Sequence, residues 1–309
     1  MARPSIILHH YLRSPFSEKI RVAFGLKRLD WCSVLQPRIA PKPFLVALTG
    51  GYRRIPVMQI GAEVFCDTRC ILDELERRHP TPSLHPPGCA GLADMIAAFA
   101  DRSLFAEALG LLFGLHGDRF PPELHADRAR FTANLFDGWD SAKMAAKLPS
   151  IQCHFNHHLA WLEALLDDSR PFLLGPQASL ADLGTYHPLW YARENLELSV
   201  FDPSRYPHLT AWMGRMRGIG HGGEFALDPR EALAVARDAA ASVSPPGAAR
   251  LVSVVPDDWG FDPVEGELIA LSADRITLRR HDPAIGAILV HFPHLGFLVR
   301  ESHARAARL

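Results

Sequence analysis

Residues 53–72 read RRIPVMQIGAEVFCDTRCIL, and the folding of this stretch decides the N-terminal region. Two short apolar runs flank Gly61-Ala62, which predicts a hairpin. Pro56 stands directly before the first run; proline withholds a ladder donor, so it belongs at an edge or in a turn. Asp67 or Thr68 caps the helix that follows, with Ile71, Leu72 and Leu75 as its core face and Pro80 as its stop. A cis Ile55-Pro56 bond would turn the N–H and C=O of Ile55 outward, where an extended peptide can pair with them. The free N–H groups at Asp67 and Thr68 favour a carboxylate.

Upstream, SIILHH (5–10) and WCSVLQ (31–36) read as strands. SPFSEKIRVAFGLKR (14–28) spaces Ile20, Ala23, Phe24 and Leu26 as an amphipathic helix, and PKPFLVALT (41–49) is a short helix stopped by Gly50 and Gly51. The order βαβαββα predicts one sheet covered by helices over residues 1–80. The stretch HPTPSLHPPGCAG has four prolines in thirteen residues and marks a linker at 81–91. Strand signals then vanish, and helical spacing predicts an all-α domain over 92–240. A second linker, 241–249, precedes residues 250–309, where short alternating runs predict four or five strands in a small curled sheet or barrel. The fold class is thus α+β multidomain: a βαβαββα domain, a helical bundle and a small all-β extension.

The chain has 309 residues, 48% of them hydrophobic, and a formal charge of −1. That charge gives no sign of nucleic acid or an anionic membrane as partner. No apolar run is long enough for a membrane span, and the first ten residues are too short in apolar character for a signal peptide, so a cytoplasmic location is expected. Five scattered cysteines favour buried thiols over a disulfide framework. His154 and His158 stand one helical turn apart, but Phe155, Leu159 and Leu162 claim a core face and no carboxylates complete a set, so no metal is expected.

Taken together, SPFSEKIRVAF, RRIPVMQIGAEVFCDTRCIL and the later SLADLGTY resemble the cytosolic glutathione transferases. The resemblance covers roughly residues 5–225 and implies a thioredoxin-like N-terminal domain joined to an all-helical one. It also implies glutathione as co-substrate, a homodimer, and a detoxifying conjugation of glutathione to a small hydrophobic electrophile. By the family pattern, Ser14 holds the place of the catalytic serine or cysteine. Ile55, beside Pro56, would bind the cysteinyl backbone of glutathione, while Asp67 and Thr68 would bind its γ-glutamyl group. Arg54 falls where Lys or Gln is frequent, and Arg53 where Gly is common.

A serine suits this chemistry. A free thiol has a pKa near ~8.5, and lowering it by ~2 units requires roughly 2.7 kcal/mol. One charge-assisted hydrogen bond with a helix N-terminus can supply that. Cysteine would favour thiol exchange instead. Ser14 also makes a good N-cap with Pro15 at the first helical position. Tyr11 and His10 are rivals for the thiolate, and strand alternation sends them to opposite faces. Ser179 and Asp182 form a capping box, a structural feature. An acceptor pocket is expected between the domains, with Phe99, Phe105, Phe113, Trp139, Tyr186, Trp190 and Tyr191 as candidates for its wall. Two alternatives stand beside conjugation: a non-catalytic interaction protein whose β extension binds a partner, and a glutathione-dependent reductase or lyase.

Overall fold

The computed structural model describes residues 4–133, 139–197, 200–239 and 250–302. The predicted linker at 241–249 lies outside them. The N-terminal order is as expected: β1 (Ile6–His10), α1 (Pro15–Leu26), β2 (Asp30–Leu35), α2 (Pro43–Thr49), β3 (Val57–Ile60), β4 (Glu63–Cys66) and α3 (Thr68–Arg78). Strand β1 pairs parallel with β2 and antiparallel with β3, and β3 forms the hairpin with β4. All five residues of β1 are buried. Ile6 and Leu8 join the main core under α1 and α3, while Ile7 turns to the other face with Cys32 and Val34. A strand covered on both faces reads as an unbroken apolar run.

The helical domain comprises α4 (Ala90–Phe99), α5 (Phe105–His116), α6 (Pro122–Phe131), α7 (Ser141–Ala146), α8 (Leu148–Leu165), α9 (Leu180–Asn195) and α10 (Pro207–Ile219). A π-helical turn, Ala100–Leu104, joins α4 to α5. Asp101 in that turn accepts from Lys19 Nζ of α1 at 2.7 and 2.9 Å and pairs with His187 Nε2 of α9 at 2.8 Å. Burial opposes its charge, yet Lys19 and His187 hold the Asp101 carboxyl down to about 2. This cluster ties the two domains together. The capping box forms as expected: Asp182 accepts the Ser179 N–H at 2.8 Å. Asp182 also accepts from the Leu173 N–H and the Trp212 indole, each at 2.8 Å.

Beyond α10 the chain returns to the N-terminal sheet. The short β5 (Gly223–Ala226) pairs parallel with β2, and α11 (Pro229–Asp238) packs Ala232 on the face carrying Ile7. The residues expected to close the helical domain therefore complete the first one. Five strands follow: β6 (Leu251–Pro256), β7 (Val264–Leu271), β8 (Arg275–Asp282), β9 (Gly286–Pro293) and β10 (Phe297–Glu301). They form an antiparallel meander whose last strand pairs with its first.

In a flat sheet β9 and β10 would lie four strand spacings apart, ~19 Å. The three-residue connection His294–Gly296 spans only ~14 Å, so the meander curls, as its sequence suggested. Its attachment was not foreseen. Strand β9 pairs parallel with the edge strand β4, with Val64 opposite Val290, making one ten-stranded sheet. Leu45, Leu48, Tyr52, Val57 and Val64 share a core with Val254, Ile276, Val290, Phe292 and Phe297. The extension's strands are thus built onto the N-terminal domain.

Candidate functional site

Strand β1 ends at His10 and α1 starts at Pro15, so the turn between them opens onto the cleft between the domains. Ser14 is buried there and lines a cavity of about 160 Å³ together with Tyr11, Ile55, Pro56, Asp67 and Thr68. Its Oγ accepts the Ser17 N–H at 3.2 Å, the N-cap bond of α1. Capping uses a lone pair and leaves the hydroxyl proton free to donate into the cavity, so the two readings of Ser14 are compatible.

His10 is not in the cavity. It lies beneath α1, where its Nδ1 meets the Arg21 guanidinium at 3.1 Å and its Nε2 meets Ser33 Oγ at 2.8 Å. Arginine only donates, so Nδ1 is the acceptor and Nε2 carries the proton. Burial, aided by the Arg21 charge, pushes the ring down to about 3, and His10 stays neutral. Tyr11 lines the cavity and His10 does not, in keeping with alternation, which lets at most one of them reach it.

The hairpin brings the other expected residues to the same place. The Ile55-Pro56 bond is cis, and neither the N–H nor the carbonyl of Ile55 has a protein partner among the described residues. Asp67 caps α3, accepting the Arg69 N–H at 2.9 Å from a backbone at φ +76°. A non-glycine residue in that region costs on the order of 1 kcal/mol or more, a strain concentrated at functional positions. Burial pushes the Asp67 carboxyl up, against the pull of the Arg69 amide, Arg54 and Lys19. Thr68, also buried, opens the helix beside it.

Arg54 lines the cavity, but its guanidinium is engaged. It donates to the Asp258 carboxylate and to the Trp259 carbonyl, both in the β6–β7 connection of the extension. Trp259 enters the cleft, its ring 6.1 Å from that of Phe105 at nearly right angles. The Gly260 N–H bonds the Phe131 carbonyl at 2.8 Å. Arg53 bonds Asp127 of α6 and lies 5.0 Å over the Phe131 ring.

Sequence reasoning missed several cavity residues. Lys42 is buried at the start of α2, with Nζ 3.4 Å from the Arg53 carbonyl and 3.5 Å from that of Arg38. Burial, with Arg53 and Arg128 nearby, pushes it down to about 8. Arg38, Arg128 and Trp259 were also missed. The signal for Trp259 was a tryptophan inside the turn-forming run PDDWGF. Of the expected wall, Phe105, Phe113, Trp139 and Tyr191 line the cavity, whereas Phe99, Tyr186 and Trp190 do not. Phe99 faces His158, and Tyr186 packs on Trp212. His158 pairs with Glu107 at 2.8 Å, and among the described residues no group of His, Cys, Asp and Glu could hold a metal. No helix there is long and apolar enough to cross a membrane.

Comparison with known proteins agrees with this geometry. Residues 8–83 match the family model described as glutathione S-transferase, N-terminal domain, and residues 152–215 match that described as glutathione S-transferase, C-terminal domain. The chain is 29% identical over 181 residues to FtsZ-localized protein A of Caulobacter vibrioides, covering 57% of this chain and 72% of the relative. A glutathione S-transferase of Methylobacillus flagellatus, solved with glutathione bound, shares the fold at 22% identity and a TM-score of 0.52, covering 70% of this chain and 99% of that one. The solved structure of a GST-like protein from Pseudomonas syringae is 32% identical, with a TM-score of 0.79, and covers 97% of this chain and 100% of its own. The sheet, the helical domain and the extension beyond them all lie within that last match, and the chain belongs to the glutathione S-transferase family.

Proposed function

We propose that the cleft binds glutathione and that the chain conjugates its thiolate to a small electrophile. The observation carrying this reading is Ser14: its Oγ is anchored by the Ser17 N–H, its proton is free, and it shares a cavity with Ile55, Asp67 and Thr68. The backbone of Ile55 would pair with the cysteinyl residue. The N-terminus of α3 and Thr68 would receive the γ-glutamyl carboxylate, and Asp67 the adjoining ammonium. Lys42, a buried amine that donates to the Arg38 and Arg53 carbonyls, suits the glycyl carboxylate. Arg54 is less available, since Asp258 already neutralises it.

Ser14 then donates to the sulfur at the N-terminus of α1, and the thiol proton leaves to solvent. Attack forms a sulfur–carbon bond as the leaving group departs with its bonding pair. The glutathione seen in the Methylobacillus relative supports the binding half of this reading. Calorimetric titration of glutathione, with a chlorodinitrobenzene assay, tests it: Ser14→Ala keeps binding and loses conjugation at least ~100-fold, the scale of a lost donor to developing charge. Absence of binding at millimolar glutathione contradicts it. A homodimer in the cytoplasm remains part of the proposal; Leu92 and Met95 of α4 are exposed apolar side chains that such an interface could cover.

A non-catalytic interaction role is the second reading. The identity with FtsZ-localized protein A favours it, as does the closure of Arg54 by the extension. A reductase is less well supported, because Ser14 stands where thiol exchange needs cysteine.

A further inference from the structure

One part of the cleft carries more positive charge than glutathione can use. Arg13, Arg38, Lys42, Arg53 and Arg128 all line it. The carboxylate bonded to members of this group is Asp127, shared by Arg53 and by Arg128 at 3.0 Å. Arg13 reaches the amide oxygen of Asn195 at 2.6 Å, and Arg38 lies 5.5 Å over the Phe120 ring, with no ion pair to a carboxylate among the described residues. Arg38, Arg128 and Arg13 all pull against the burial that raises the Tyr191 phenol, which places the three within electrostatic reach of one cavity residue. On the reading above, the carboxylates of glutathione go to α3 and Lys42. Arg13, Arg38 and Arg128 are left over, beside the aromatic walls of Phe113, Trp139 and Trp259.

Arg53 and Arg128 share one carboxylate charge, so the cleft keeps a positive surplus. In reduced dielectric such a surplus attracts an anion strongly and penalises a neutral ligand that leaves it unbalanced. Guanidinium groups suit a carboxylate, which they can grip bidentately. We propose that the acceptor substrate is an aromatic electrophile carrying a carboxylate, and that Arg38 and Arg128 select it. The inference rests on the transferase reading for its chemistry: sulfur bonds to the ring carbon and the halide leaves with the bonding pair. The anion subsite itself is a property of the cleft with or without glutathione.

The test compares chlorodinitrobenzoate with neutral chlorodinitrobenzene as acceptors for the full-length protein. The binding of dinitrobenzoate and dinitrobenzene is also measured calorimetrically without glutathione. The expected preference in kcat/KM for the carboxylated acceptor is ~10-fold or more after correction for the uncatalysed rates, diminishing with added salt. The ratio falls toward one in Arg38→Met and Arg128→Met, and dinitrobenzoate binding weakens in parallel. Dinitrobenzoate binding lost in these variants, in a protein that ignores glutathione, keeps the subsite and removes the transferase reading. Glutathione binding with equal use of both acceptors and no dinitrobenzoate binding overturns the subsite and leaves the transferase reading intact. A preference that survives both substitutions also overturns it.

Discussion

At the scale of single residues the site depends on groups held in unfavourable states. Asp67 keeps a buried carboxyl on a backbone at φ +76°, and burial already pushes its pKa up. A ligand ammonium would pull that pKa down, so binding and ionisation of Asp67 are linked. Below the raised pKa the empty site binds a proton that the ligand must expel, so glutathione affinity falls as the pH is lowered through the acidic range. Asn tolerates a positive φ and can still cap the helix. Asp67→Asn should therefore melt within ~0.5 kcal/mol of wild type while binding glutathione at least ~10-fold more weakly, without that acid dependence. Calorimetry at several pH values, with thermal unfolding, reads both. Ser14, Ile55, Asp67 and Thr68 were legible in the sequence because each belongs to a local signal, a cap or a proline turn. Lys42, Arg38 and Arg128 were not, because their meaning lies in being gathered into one cleft from the β2–α2 connection and α6.

At the scale of elements, the joint between α3 and β8 holds the extension in place. Glu74 of α3 accepts from Arg77, Arg78 and Arg275, the last at 2.9 Å. Burial opposes its charge, but the three arginines hold the carboxyl down to about 2. A carboxyl with a depressed folded pKa stabilises above its unfolded pKa of ~4.3 and loses that contribution as the pH falls toward the folded value. Thermal unfolding of wild type and Glu74→Gln should differ clearly at pH ~7, and the gap should narrow between pH ~4.5 and ~2. A gap constant across that window would show that the ionic joint contributes nothing. The hairpin β3–β4 and the caps of α1 and α3 were readable because their partners lie a few residues away. The pairing of β4 with β9 joins residues 64 and 290. Nothing in either short strand specifies that long-range partner, and β5, at four residues, is too brief to signal itself.

At the scale of the whole molecule, the extension completes both the core and the cleft. Val254, Ile276, Val290, Phe292 and Phe297 are buried against Leu45, Leu48 and Tyr52, and β9 covers the edge of β4. An uncovered apolar face and an open strand edge invite aggregation. A chain ending at residue 249 should therefore be less soluble and melt several degrees lower. A well-folded truncated protein with the wild-type melting point would contradict this account of the sheet. Alternating runs in the sequence predicted strands in the extension, and five form between Leu251 and Glu301; only the three-dimensional structure brings Asp258 to Arg54 and Trp259 into the cleft.

A thiolate stabilised by Ser14 shows itself in the thiol pKa of glutathione on the protein. Ultraviolet thiolate absorbance, followed against pH for wild type and Ser14→Ala, gives it. The bound pKa should lie ~2 units below the free value of ~8.5 in the wild type and return close to ~8.5 in the variant. An equally depressed pKa in Ser14→Ala would contradict this and pass the role to Tyr11, whose hydroxyl-bearing side chain lines the same cavity.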